Sequence, residues 1–187
     1  MNTSSCPFSK PETCIPVMLL LMAATPLAGA LLSQYGFNLH PCHLCILQRI
    51  PYSIVMGLAV LYLLLGRKCP HALKLLTLLS AALFLADGGI AAFHAGVEWH
   101  WWQEKSWWPW AANLLGLESC SGTGAADSIE QLRAMLMHAP TARCDQPQFV
   151  FLKLSMAGYN ALYALGATLV TLKITCNLAR EERHHAK

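Results

Sequence analysis

Residues 41–49 read Pro-Cys-His-Leu-Cys-Ile-Leu-Gln-Arg. Two residues between Cys42 and Cys45 let their sulfurs close a small ring, and a strained ring is readily opened by an attacking thiolate. Arg49 follows one helical turn after Cys45. The pair stands at the mouth of an apolar segment. A redox pair at that boundary suggests electrons passing between a soluble thiol and an acceptor dissolved in lipid.

The elements that must hold this pair are membrane spans. Of 187 residues, 55% are hydrophobic and 12% charged, against about a quarter charged in soluble domains. A crossing helix needs about 20 mostly apolar residues. Four runs meet that length: 15–35, 44–65, 73–93 and 154–176. Pro16, Pro26 and Gly29 interrupt the first and Asp87 the third; such residues are tolerated where they face protein rather than lipid. The expectation is an all-α membrane protein, a single four-helix bundle spanning 1–187, with outer loops over 36–43 and 96–150. Ala28-Gly29-Ala30 offers small residues of the kind that precede signal cleavage. Glu12 in the leader and the apolar run past Ala30 favour an uncleaved first span.

Lysine and arginine set the orientation. The connection between spans two and three carries Arg67, Lys68 and Lys74 and no acid. The segment after span three holds Lys105, Arg133 and Arg143 against Glu98, Glu104, Glu118, Asp127, Glu130 and Asp145, three bases against six acids. Both termini and the middle connection are therefore expected inside, with Lys153 a mild exception to the pattern. Cys42, Cys45, Cys120 and Cys144 then fall outside, where disulfides persist, and Cys6, Cys14, Cys69 and Cys176 inside, where thiols stay reduced.

All six tryptophans, Trp99 to Trp110, follow the third span closely. Tryptophan favours the membrane interface, and the same cluster would also suit a docking partner. Ser128 to Gln131 has capping-box spacing. Ile129, Leu132, Met135 and Leu136 then predict a short amphipathic helix, either on the membrane or packed on the protein. Cys120 and Cys144 flank it, and Gly122 and Gly124 loosen the Cys120 side.

Taken in order, these features resemble one family. Pro-Cys-x-x-Cys-x-x-Gln-Arg at 41–49, His94-Ala95-Gly96-Val97-Glu98, Arg143-Cys144-Asp145 and Ser155-Met156-Ala157-Gly158-Tyr159-Asn160 look like the DsbB family of disulfide bond formation proteins, across about 21–170. The resemblance implies a bacterial inner-membrane enzyme with cytoplasmic termini. It would reoxidise a periplasmic thioredoxin-fold DsbA-like partner and pass the electrons to ubiquinone or menaquinone. By motif, Cys42 and Cys45 would be the quinone-proximal pair, Cys120 the sulfur the partner attacks, and Cys144 its loop companion. Arg49 and His94 would sit beside the quinone. Asp87 matches nothing in the family pattern.

Other classes compete. A quinone reductase of the vitamin K epoxide reductase type shares this chemistry, but there the C-x-x-C falls late in the chain, and here it comes first. Cys42, His43, Cys45 and His94 or His100 could hold zinc, which would block redox exchange. A structural protein with two stapling disulfides would have no use for a strained ring beside Arg49.

Overall fold

The structure is a computed structural model, and it describes residues 11–65, 70–101, 144, 147 and 149–185. Among the described residues, five helices and one strand pair follow in order: α1 Pro11–Gly36, α2 His43–Leu47, α3 Arg49–Leu65, α4 Pro70–Glu98, β1 Val150–Phe151, β2 Leu154–Ser155 and α5 Met156–His185. Four stretches among the described residues are long and apolar enough to cross a membrane: Pro11–Gly36, His43–Leu65, His71–Glu98 and Met156–Glu181. The four expected spans are thus present. The amphipathic segment near 128–140 and Cys120 lie outside the described residues.

Two compact units divide the chain. The first takes in Met1–Ala30, Arg49–Gly88 and Leu162–Lys187. Its core gathers Leu19 and Ala23 of α1, Tyr52, Val55 and Tyr62 of α3, Leu73, Leu76 and Phe84 of α4, and Ala167 of α5. All four spans therefore share one core, which is the bundle the sequence predicts. Asp87 is fully buried in this unit, and the Tyr52 hydroxyl hydrogen-bonds to it. An acid in a span is expensive unless partnered, and a tyrosine on the neighbouring helix supplies a partner here.

Pro26 shows how α1 tolerates a proline. Proline lacks the N–H that would bond the carbonyl four residues back, so the Met22 carbonyl loses its usual donor. The Tyr163 hydroxyl of α5 donates to that carbonyl at 2.7 Å. Neighbouring helices commonly satisfy backbone groups that proline frees. Tyr163→Phe is expected to cost about 1 kcal/mol. In a Pro26→Ala background, where the backbone bond can reform, the same change should cost much less. A double-mutant cycle by thermal unfolding in detergent checks this, and equal costs in both backgrounds would remove the link.

The second unit comprises Leu31–Gln48 and Gly89–Ala161. Three features here differ from the sequence reading. The second span is broken at Gln48 between α2 and α3, because Pro51 has no N–H to return to the Leu47 carbonyl. The helix of the third span, α4, runs five residues past Phe93, so His94, Val97 and Glu98 are helical rather than at a loop edge. It ends in a Schellman motif: His100 is left-handed (φ 57°), Trp101 N–H bonds the Gly96 carbonyl at 2.9 Å, and His100 N–H bonds the Val97 carbonyl at 3.0 Å. Without Glu98 the outer loop still keeps an acidic balance.

The third difference is a hairpin ahead of α5. Val150 pairs with Ser155 and Phe151 with Leu154. Its turn residues, Leu152 and Lys153, both have positive φ (48° and 64°), a conformation usually given to Asn-Gly. Tyr159 of α5 donates from its hydroxyl to the Phe151 carbonyl at 3.0 Å and ties the hairpin down. The helix of the fourth span, α5, consequently begins at Met156, two residues later than the sequence predicts.

One cysteine also departs from expectation. Cys14 is disulfide-bonded, with its partner outside the described residues, whereas Cys176 is a free thiol, as expected, and is exposed. Pairing needs sulfurs brought within bonding reach, and sequence separation alone does not reveal that.

Candidate functional site

Cys42 is the N-cap of α2, with extended backbone (φ −74°, ψ 168°). Its sulfur accepts the Cys45 backbone N–H at 3.2 Å. That capping bond fixes the side chain over the first turn, where Cys45 also projects. The two sulfurs stand 2.6 Å apart, Cys42 donating to Cys45. Cys42 is buried (4% exposed), while Cys45 is half-buried. The hydrogen bond to Cys45, helped by burial, pushes the Cys42 thiol well above the ordinary thiol range. Cys45 is the more accessible of the two sulfurs.

Cys42 shares its apolar cluster with Leu44, Val97 and Cys144, and Cys45, Leu47 and Phe93 pack against it. Cys144 is 1% exposed and disulfide-bonded to a residue outside the described ones. Leu44 and Val97 bury Cys144 beside the C-x-x-C pair.

His94 of α4 completes the cluster at 2% exposure. Its Nε2 lies 3.6 Å from Cys42 Sγ and 3.7 Å from Glu98 Oε1. Its Nδ1 lies 3.0 Å from Gln48 Nε2. Asn160 Nδ2 donates to Gln48 Oε1 at 3.0 Å. Ser155 caps α5 by accepting the Gly158 N–H at 3.2 Å and hydrogen-bonds Glu98.

Of the six residues predicted from the sequence, Cys42, Cys45, Cys144 and His94 come together in this unit. Arg49 opens α3 and belongs to the other unit, and Cys120 is outside the described residues. Gln48, Glu98, Ser155 and Asn160 had no role assigned from the sequence. All four stood inside the quoted motif stretches, which was the available signal.

Cys42, Cys45 and His94 place three metal-capable atoms within 4.8 Å of one another. Two thiolates on one tetrahedral zinc would stand about 3.8 Å apart, given Zn–S bonds near 2.3 Å. The 2.6 Å separation is much closer to ring closure than to that spacing, which favours redox chemistry.

Comparison with known proteins decides the family. The family model of disulfide bond formation protein DsbB matches residues 12–174, most of the chain. The chain belongs to the DsbB family. An uncharacterized protein of Rickettsia prowazekii (strain Madrid E) is 26% identical over 148 residues, covering 78% of this chain and 77% of the relative. Membership fits the geometry: a DsbB-family chain with four membrane-crossing helices is a multi-pass membrane protein of disulfide bond formation. Its chemistry is that of a disulfide-forming oxidoreductase.

Proposed function

We propose that this protein carries electrons from a periplasmic, thioredoxin-fold DsbA-like partner to membrane quinone through two cysteine pairs. The observation that carries the reading is the near-bonding Cys42–Cys45 pair, with buried Cys144 in the same apolar cluster. A partner thiolate attacks the Cys120–Cys144 disulfide and forms a mixed disulfide at Cys120. The freed Cys144 thiolate attacks Cys42, and the 42–45 bond breaks to leave Cys45 as a thiolate. A second partner thiol resolves the mixed disulfide and frees the Cys120 thiolate, which attacks Cys144, re-forms the Cys120–Cys144 bond and releases Cys42 as a thiol. Two electrons then reside on the Cys42–Cys45 pair.

The residues suit a quinone. Cys45 is the accessible sulfur, and Ile46 beside it is exposed, as a surface facing lipid should be. Bound quinone supplies the oxidising power, which matters because a DsbA-like partner already sits near about −120 mV. Arg49 would serve as the cation beside the head group and the Cys45 thiolate, with His94 nearby. Cys42 then recloses the disulfide on Cys45.

The deciding experiment is quinone reduction by the purified protein with reduced DsbA-like partner. Reduction is expected only when both are present. Consumption of partner thiols without quinone dependence would leave a disulfide-forming protein of another electron route. Orientation is read separately. In intact, reduced spheroplasts a membrane-impermeant thiol label is expected to reach Cys120 and Cys144 but not Cys69. Labelling of Cys69 alone would reverse the inner-membrane topology, in which both termini are cytoplasmic.

A further inference from the structure

We propose that Gln48 and Asn160 are positioning residues that hold His94 with its proton on Nε2, so that His94 donates to Cys42 and does not act as its base. The inference rests on the redox reading of Cys42 and Cys45.

The chain of donors runs one way. Asn160 Nδ2 donates to Gln48 Oε1, which leaves the Gln48 amino group facing His94 Nδ1. An amide nitrogen donates and never accepts, so Nδ1 must be the accepting nitrogen. A neutral imidazole with a bare Nδ1 carries its proton on Nε2. Nε2 is the atom that faces Cys42 Sγ at 3.6 Å.

The usual thiol–imidazole pair is wired the other way. There a lone pair faces the sulfur, removes its proton and creates a free nucleophile. Here an N–H faces the sulfur. Cys42 keeps its own proton and directs it to Cys45 at 2.6 Å, while the Cys45 backbone N–H also bonds Cys42. The arrangement suits a sulfur that must wait. Cys42 first receives attack from Cys144 and later recloses the ring, and a stray Cys42 thiolate between those events would invite the wrong exchange. When Cys42 does carry charge, Nε2–H lies ready to stabilise it. Among the described residues, Glu98 also faces Nε2, 3.7 Å away and held by Ser155, and Cys45 stands in the same group.

Two nearly isosteric changes should reverse the wiring. In Asn160→Asp a carboxylate accepts from the Gln48 amino group, so Gln48 turns its carbonyl oxygen on Nδ1. In Gln48→Glu the new carboxylate accepts from Nδ1 directly while Asn160 still donates to it. Either way the proton moves to Nδ1, and the bare Nε2 becomes a base facing Cys42.

The test uses the full-length, reduced protein in detergent, with neither partner nor quinone. Ring ¹⁵N resonances of His94 report which nitrogen is protonated. Limited iodoacetamide alkylation with peptide mass spectrometry reports which thiol reacts. The native protein should show Nε2–H and label Cys45 before Cys42. Both variants should show Nδ1–H, and Cys42 should alkylate about tenfold faster at pH 7, equivalent to one pKa unit. Asn160→Leu removes the donor without supplying an acceptor, so it should leave Cys42 much slower than in Asn160→Asp. A native His94 with its proton on Nδ1 would overturn the inference. So would unchanged labelling in both variants, or an equal gain in Asn160→Leu, which would mean loosened packing. Because no quinone is present, failure here is distinct from failure of the electron route.

Discussion

Turnover of reduced partner is expected to fall to background when either Cys42 or Cys45 is replaced by serine. A hydroxyl cannot form or exchange a disulfide, and among the described residues the other cysteine beside this pair, Cys144, is itself disulfide-bonded. Cys176 is the remaining free thiol described and is exposed on α5. The two variants should fail differently. In Cys45→Ser the Cys42 sulfur remains in one buried cluster with Cys144, so a disulfide between 42 and 144 should accumulate. In Cys42→Ser that link cannot form, and Cys45, half-buried and further along the turn, should remain a thiol. Both variants should still accept electrons once from the partner, since the loop disulfide is intact. The measurements are multiple-turnover oxidation of reduced partner with quinone, a single-turnover exchange without it, and non-reducing peptide mapping. Full turnover by either variant would remove the central claim. Cys176→Ser is the comparison, expected to leave turnover near normal.

The sequence shows the fold because membrane spans are written locally. Long apolar runs, charge placement and the C-x-x-C motif are each contained within a short window, and the four helices appear where they should. What stayed hidden depends on partners distant in sequence. Nothing near Gln48 indicates that its carbonyl oxygen meets Asn160, 112 residues later. The same holds for Tyr163, whose partner is a carbonyl freed by Pro26 far back in α1. The extra turn and more of α4 carries no strong local signal either. Gly96 reads as a stop, yet the helix continues because Val97 and His94 gain burial on the thiol cluster. The turn at Leu152 and Lys153 is the clearest conflict between local preference and structure. Both residues take positive φ, which tertiary contacts such as the Tyr159–Phe151 bond help impose. Conversely, the break at Gln48 was readable from Pro51 and its missing N–H, once the helix was followed residue by residue.

Arg49→His is expected to weaken apparent quinone affinity by about ten- to a hundredfold, the range of a lost charge-assisted hydrogen bond of about 1.5–3 kcal/mol. Arg49→Lys should weaken it less. The two substitutions separate two roles. If Arg49 only carries its charge to the membrane surface, lysine does this equally well and Arg49→Lys is silent. If the guanidinium supports both a thiolate and a developing quinone anion, its planar set of donors matters and lysine replaces it poorly. Histidine, mostly neutral at pH 7, should replace it worst. Arg49 stands at the first position of α3, just beyond the break at Gln48, and its carbonyl accepts the Ser53 hydroxyl at 2.9 Å. The helix start is thus built into the backbone, and the substitutions should leave the fold in place. Exchange between partner and loop disulfide does not involve Arg49, so single-turnover exchange should be unchanged in both variants. Quinone titrations and single-turnover exchange, measured side by side, distinguish the outcomes. An unaltered quinone dependence in both variants would return Arg49 to a surface-anchoring role and require another cation for the Cys45 thiolate.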